Sequence, residues 1–278
     1  MAAKQFWQKN LWWLLPGWSL FSLIYRPGWS VFGAGLLFWV LLLYFSAPGI
    51  FWNYLAHLIP DPEKSKAFFQ KALDAGAVIP QPYFSLGILL CRQKKWQEAL
   101  PVLEKAADLS LPRFNAKANL LTGIACRETG DFPKATAIFE KMQAKGFKTT
   151  DVYFNLALTH LRQNRLEEAL QAAEKARSLN LQNSDPVLVM GKIHFAMGDY
   201  EAAKNDYEWA VSHISWPVES YYWLGRCELE LGENKAAAEH LKTAVKRIKD
   251  DPLLSDVPFE EAEEWSRRAV DADRPGSP

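Results

Sequence analysis

The sequence predicts an all-α chain: a superhelical solenoid of helix-turn-helix units preceded by one or two transmembrane helices. Three observations predict it. Small residues return at a step of 34 positions through the body of the chain, an uncharged Trp-rich stretch fills the N-terminus, and nearly all formal charge lies after residue 60.

The N-terminal stretch comes first. The 278 residues carry 32 basic and 32 acidic side chains and no formal net charge. That balance gives no electrostatic footprint for nucleic acid, so none is expected as a partner. Between Asn10 and Pro60 the only formal charge is Arg26, and seven of the twelve tryptophans fall in the first 52 residues. A helix needs about 20 apolar residues to cross a bilayer core of about 30 Å. The best span is 29–45, and Pro48-Gly49 is expected to end it. An earlier stretch, 11–25, is shorter and carries Pro16-Gly17; it reads either as a kinked first span or as a segment lying in the interface. Trp7, Trp12, Trp13, Trp18, Trp29 and Trp52 flank these stretches, as indoles do at the headgroup level. The long run lacks a short apolar core with an AxA-like site, which argues against a cleaved signal peptide.

Residues 1–60 are therefore expected to form a membrane anchor in contact with lipid. With two spans, Lys4 and Lys9 share a side with Lys64, Lys66 and Lys71, and only Arg26 is opposite. Basic flanks stay inside, which puts the repeats on the cytoplasmic face of the cell membrane. With one span the flanks balance, and repeats outside the cytoplasm stay open. The compact hairpin without a eukaryotic targeting signature reads as bacterial.

The repeats come next. Gly87, Gly123, Ala157, Gly191 and Gly225 are separated by 36, 34, 34 and 34 positions. A second small residue recurs at Ala99, Ala135, Ala169, Ala203 and Ala237. Between the two lies a turn, with Gly130, Gly198 and Gly232 at one position and Asn164 equivalent. Glycine and asparagine tolerate the left-handed backbone that ends a helix. A further small or apolar residue follows at Ala106, Met142, Ala176, Ala210 and Ala244, preceded by large Leu103, Phe139, Tyr207 and Leu241. The glycine of the first helix and the alanine of the second are expected to face each other, with the large residue filling space toward the next unit. Such units bury their apolar faces only by stacking.

This pattern resembles the tetratricopeptide-repeat (TPR) family. The resemblance covers residues 80–251 in five units: 80–115, 116–149, 150–183, 184–217 and 218–251. The second unit has Thr122 and Cys126 where Leu and Tyr are usual, and the third has Ala157 for Gly and Ala173 for a larger residue. Two extra residues near Pro112-Arg113 suggest a longer connection. Residues 61–79 read as a degenerate half repeat, with Phe69 and Ala72 in second-helix places and 50–59 as its first helix. Residues 252–270 read as a capping helix and 271–278 as a disordered tail.

The resemblance implies a protein or peptide partner held in a concave groove lined by first helices. Mapped by repeat position, the groove residues are Phe84, Ile88, Leu120, Ile124, Phe154, Asn155, Leu158, Leu188, Lys192, Tyr222 and Arg226. Lys192 and Arg226 could hold a carboxylate, although the Lys/Asn clamp of some family members is absent.

No catalytic chemistry is visible. The chain lacks a GxxxxGK[ST] phosphate loop, HExxH and GxSxG. Glu167-Glu168 and the acidic run at 260–264 read as solvated faces. Cys91, Cys126 and Cys227 form no CxxC pair. His160 and His194 share a repeat position without a third recurring ligand, so no metal is expected, nor a cofactor or small-molecule substrate. The expected role is a non-catalytic, membrane-tethered adaptor or assembly factor. The alternative is a structural accessory subunit of a larger membrane complex.

Overall fold

The computed structural model describes residues 29–110, 115–215, 217–252 and 255–274. All regular structure among them is helical. The helices are α1 (Trp29–Ser46), α2 (Pro48–Leu58), α3 (Pro62–Asp74), α4 (Pro80–Arg92), α5 (Trp96–Leu109), α6 (Ala116–Glu128), α7 (Phe132–Ala144), α8 (Thr150–Arg162), α9 (Leu166–Leu179), α10 (Asp185–Met197), α11 (Tyr200–His213), α12 (Val218–Glu230), α13 (Asn234–Asp250) and α14 (Phe259–Ala272). The fold is an all-α helical solenoid. It divides into two compact lobes, Met1–Ile138 and Phe139–Pro278, with the division inside α7.

Local sequence sets the helix ends. Pro48, Pro62, Pro80 and Pro186 sit in first turns, where a missing N–H costs nothing. The Asp61 carboxylate caps α3 by accepting from the Glu63 and Lys64 amides, and Asp199 caps α11 by accepting from the Ala202 amide at 3.1 Å. Between paired helices the chain turns through a left-handed residue: Gly130, Gly198, Gly232 and Asn164, and also Lys94 with φ 56°. A lysine there was not expected, because its Cβ gains nothing in that conformation.

In the first lobe α2 and α3 pack against each other and α3 packs on α4. Phe69 and Ala72 of α3 are buried, and the Ser65 hydroxyl donates to the Ala56 carbonyl at 2.9 Å. Leu43, Ala47 and Ile50 form a small core with Leu42, Phe51 and Ile79. A larger one gathers Phe69, Leu86, Leu90, Ala99 and Leu103. In the second lobe Tyr207, Leu224 and Cys227 form one core, and Tyr222, Leu241, Ile248 and Ala269 another.

The small-residue positions are buried, as their period implies, and the glycines take a further partner that was not expected. A Cβ on Gly87 would lie 2.4 Å from Leu103, one on Gly191 2.7 Å from Tyr207, and one on Gly225 2.6 Å from Leu241. The glycine of the first helix receives the large side chain of its own second helix. At Gly225 the Cβ would also lie 3.1 Å from the Ala237 carbonyl, so glycine and alanine do approach there as expected; what is corrected is the place of the large residue, which fills the glycine socket of its own unit. The reason is volume: a bare Cα leaves a socket, and the knob nearest it fills it.

The expected membrane spans fare differently. The first, 11–25, lies outside the described residues. The second coincides with α1, whose 18 residues extend about 27 Å at about 1.5 Å per residue, short of a hydrocarbon core of about 30 Å. Among the described residues no helix is long and apolar enough to cross a membrane. As expected, Pro48 begins a new helix: Ala47 breaks α1 from α2 with φ −144° and ψ 62°. Residues 111–114, where the longer connection was expected, lie outside the description. At the C-terminus α14 runs through Ala272, two residues into the expected tail, and the Asn234 amide donates to the Ala272 carbonyl at 3.0 Å.

Candidate functional site

The candidate binding positions fall on the first helix of each pair, and each lobe carries its own set. In the first lobe Phe84 and Ile88 lie on α4, Leu120 and Ile124 on α6, and all four are half-buried. Phe84 leans on the core around Leu86 and Leu103. It also lines a cavity of about 210 Å³ with Pro80, Gln81, Ser110, Lys117 and Ala118.

In the second lobe Phe154 and Leu158 of α8 and Leu188 of α10 are likewise half-buried. Asn155 is buried, and its side-chain amide donates to the Asp151 carbonyl at 2.8 Å. Lys192 is already paired, its Nζ 3.4 Å from Glu219 on α12. Tyr222 is fully buried. Its hydroxyl donates to Glu261 of α14 at 2.6 Å and accepts from Arg226 at 3.0 Å. Burial first, and then the Glu261 hydrogen bond, push the phenol up to about 12. The Arg226 guanidinium lies 3.6 Å from the centre of the Trp265 ring and 5.2 Å from that of Phe195, a cation–π sandwich.

The predicted site thus separates into two kinds of position. Phe84, Ile88, Leu120, Ile124, Phe154, Leu158 and Leu188 keep an open apolar edge. Asn155, Lys192, Tyr222 and Arg226 each contact polar groups of the chain itself, although the Nε of Arg226 is buried with no hydrogen-bond partner among the described residues. Lys192 lies against Glu219, and Arg226 against Trp265 and Tyr222; these are the contacts that a partner carboxylate at the expected clamp would share or displace.

The residues with chemical potential are quiet. Burial pushes the Cys126 thiol up to about 11 and that of Cys227 to about 12, and raises Cys91. Each shift disfavours the thiolate, the reactive form. His160 and His194 do not converge on a shared ligand: the His194 ring nitrogen lies 2.8 Å from Asp206, while Nδ1 of His160 has no hydrogen-bond partner among the described residues. Among the described residues no group of three or more metal-ligating side chains occurs. Glu260, Glu261, Glu263 and Glu264 are exposed on α14.

Two features escaped the sequence reading. One repeat on, the His194–Asp206 pair becomes Glu228–His240, with His240 Nδ1 2.8 Å from Glu228. Acid and base have exchanged helices, which the 34-residue step shows once both positions are compared. The second is a cavity of about 420 Å³ lined by Ile50, Asn53, Tyr54, His57, Ile79 and Gln81. Ile50 and Tyr54 stand one 34-residue step before Phe84 and Ile88, so the same lining pattern continues into the degenerate repeat.

Comparison with known proteins agrees with this architecture. A tetratricopeptide-repeat family model matches residues 84–146 and 188–252, and a second one matches 150–183. Among curated proteins no sequence matches the chain. Among solved structures it is similar to a chain of the APC/C hetero-tetramer Cut9-Hcn1, at 13% identity and a TM-score of 0.64, over 85% of this chain and 46% of that one. This chain therefore spans less than half of that relative. It is also similar to TTC0263, a thermophilic TPR protein of Thermus thermophilus, at 19% identity and a TM-score of 0.56, covering 66% of this chain and 99% of that one. MamA from Desulfovibrio magneticus RS-1 matches at 17% identity and a TM-score of 0.53, over 60% of this chain and 94% of that one. At such identities the likeness is one of fold. The family matches cover all five repeats and more than half of the sequence, and the chain belongs to the tetratricopeptide-repeat family.

Proposed function

We propose that this protein is a non-catalytic adaptor or assembly factor that holds a protein or peptide partner on the first-helix faces of its repeats. The observation that carries this reading is the set of half-buried apolar side chains repeated on α4, α6, α8 and α10, from Phe84 to Leu188. Each has one edge in the core and one in solvent, as anchors in an interface core do. The quiet thiols and the absence of any catalytic motif support a binding role. Expressing Leu120→Glu and Leu158→Glu in the full chain tests it. Affinity purification should lose a stoichiometric partner that wild type retains, while helicity stays unchanged. Retention of every partner by both variants would defeat the reading.

The adaptor works at a membrane, with its repeats facing the cytoplasm. Support comes from the absence of formal charge between Pro27 and Pro60 and from the row of exposed Leu37, Phe38, Val40, Leu41, Tyr44 and Phe45 on α1. An exposed row of that kind marks a lipid or protein contact. If the segment crosses twice, Lys64, Lys66 and Lys71 share the cytoplasmic side with Lys4 and Lys9; a single crossing would leave repeats outside as the alternative. Flotation with liposomes, compared with a chain lacking the first 47 residues, tests the tether: loss of flotation is expected, and equal flotation would contradict it.

The same row favours a second reading, an accessory subunit of a larger membrane complex, in which α1 packs on membrane helices of other subunits. Co-purification of a membrane protein that survives Leu120→Glu and Leu158→Glu but is lost with Phe38→Ser and Phe45→Ser would select it.

A further inference from the structure

Lys71 of α3 sits over two aromatic rings. Its Nζ lies 4.9 Å from the centre of the Trp52 ring and 4.9 Å from that of Phe68, and the two ring centres are 5.6 Å apart. From Trp52 the ring contacts continue to the end of α1. The Trp52 and Tyr44 centres are 6.2 Å apart, and those of Tyr44 and Phe45 are 5.1 Å apart. Tyr44 and Phe45 close the exposed apolar row on α1. One unbroken aromatic path thus joins that row to a lysine on the degenerate repeat.

The charges of α3 are sorted by face. Lys64, Phe68 and Lys71 follow the i, i+4, i+7 spacing of one helix face, and exposed Ala67 lies between them. Both lysines are exposed. Among the described residues neither forms an ion pair with a carboxylate, whereas Lys66 of the same helix lies 3.9 Å from Glu98. The nearby acids are engaged elsewhere. Asp61 accepts from the Glu63 and Lys64 amides, Glu63 accepts from the Gln93 side chain, and Asp74 accepts from the Gln70 side-chain amide at 3.0 Å. Upstream, no formal charge occurs from Pro27 to Pro60.

The order along this path is apolar, then aromatic, then basic, which is the order of a bilayer surface. Apolar side chains belong in the acyl region, and Trp and Tyr rings at headgroup level. Lysine stems lie along apolar surface while the ammonium reaches the polar layer. The Lys71 charge is held over the ring faces, and its three N–H groups still have donors to give to an anionic oxygen. A second copy of this chain, docked face to face about a two-fold axis, would bring its own Lys64 and Lys71 toward these, like charge against like. A surface of anionic headgroups supplies the complementary sign.

We propose that the α3 face carrying Lys64, Phe68 and Lys71 rests on the bilayer surface and binds anionic lipid headgroups, with the Trp52 ring at headgroup level. This rests on the membrane-tether reading. It adds a lipid contact beyond the tether, a preference for anionic lipid, and the side of the degenerate repeat that meets the membrane. The degenerate repeat, which lies outside the family-model matches, thereby seats the first lobe on the bilayer.

The test uses the purified full chain with vesicles of phosphatidylcholine alone or of an equal mixture of phosphatidylcholine and phosphatidylserine. Flotation reports the tether. A photo-crosslinking residue at Ala67 reports the headgroup contact, through lipid adducts detected by mass spectrometry. Adduct yield should be about fivefold or more higher with phosphatidylserine present, and Lys64→Glu and Lys71→Glu should each lower it by about fivefold, while the chain still floats and keeps its helicity. Lys175→Glu, at an exposed position of the second lobe, should leave the yield unchanged. Ala67, Lys64 and Lys71 are all exposed, so these variants keep the packing of α3. Flotation without a lipid adduct at Ala67, equal adducts from both vesicles, an adduct to a second copy of the chain in place of lipid, or an equal loss with Lys175→Glu overturns the headgroup contact and leaves the tether standing. Failure of the unsubstituted chain to float with either vesicle overturns both.

Discussion

The ring of Tyr207 occupies the space that a side chain on Gly191 would need, with its Cζ 2.7 Å from the position of a Cβ there. The knob lies sixteen positions after its socket, and Gly87 with Leu103 and Gly225 with Leu241 repeat the relationship. The period of the sequence is therefore a period of sockets and knobs.

Gly191→Ala should destabilise the second lobe. Forcing a methyl group against a fully buried ring costs about 1–3 kcal/mol, and the helix propensity gained over glycine returns about 1 kcal/mol. The net loss expected from urea unfolding is therefore up to about 2 kcal/mol. Adding Tyr207→Leu should recover part of it, since the shorter side chain clears the new methyl group.

The third repeat uses another solution. Ala157 stands for glycine, Ala173 stands where the knob would be, and both are fully buried. A larger socket floor is matched by a smaller knob. Ala173→Leu alone should cost about 1–3 kcal/mol by overpacking. Ala157→Gly in the same chain should relieve it, with a coupling of about 1 kcal/mol or more in a double-mutant cycle. Additive effects would mean that these positions do not pack as a pair.

Tyr207→Phe should stabilise the protein. The Tyr207 hydroxyl is buried without a hydrogen-bond partner among the described residues, and burial raises its phenol well above the ordinary value. Removing an unpaired hydroxyl while keeping the ring should gain about 1 kcal/mol, read as a higher urea midpoint. A lower midpoint would show that the hydroxyl has a donor or acceptor after all.

Two histidines should give stability a maximum near the ordinary imidazole range. The hydrogen bond to Glu228, opposed by burial, raises His240. Its stabilisation is fully present below the unfolded value of about 6.5 and is lost as pH rises through the raised folded value. Burial, and after it Arg165, lowers His160. Its contribution is present above about 6.5 and is lost as pH falls through the lowered value. Unfolding measured across pH should therefore fall off on both sides. Glu228→Gln should flatten the alkaline limb and His160→Phe the acid limb.

Trp265→Ala should expose Arg226 and loosen α14. The indole covers the guanidinium at 3.6 Å, and Tyr222 is tied to Glu261 on the same helix. A loss of about 2 kcal/mol is expected, below the roughly 3–5 kcal/mol of a fully buried aromatic because Trp265 is only half-buried.

What the sequence made legible follows from what periodicity reports. Gly87, Gly191 and Gly225 and the turns at Gly130, Asn164, Gly198 and Gly232 were readable because each answers a backbone or volume demand that few residue types meet. The place of the large residues was misread, since a 34-residue step says which positions are equivalent and not which of two nearby side chains enters the socket. Lys94 was missed at the left-handed turn because tertiary packing, and not its own preference, fixes its backbone. Tyr222 and Arg226 were read as open because the capping helix lies outside the repeat pattern, so no equivalent position showed that its Glu261 and Trp265 reach them. The cavity beside Ile50 and Tyr54 was not read because the degenerate repeat has no glycine at the socket position, where Asn53 stands.

The central claim is that first-helix faces hold the partner. The most direct measurement places a photo-crosslinking residue, in cells, at Phe84, Leu120, Phe154 and Leu188 in turn, with Lys105 and Glu174 on second helices as comparison. The account predicts that one and the same protein is captured from the first-helix positions and not from the second-helix ones. Capture of that protein only from Lys105 or Glu174, with none from the first-helix positions, would contradict it.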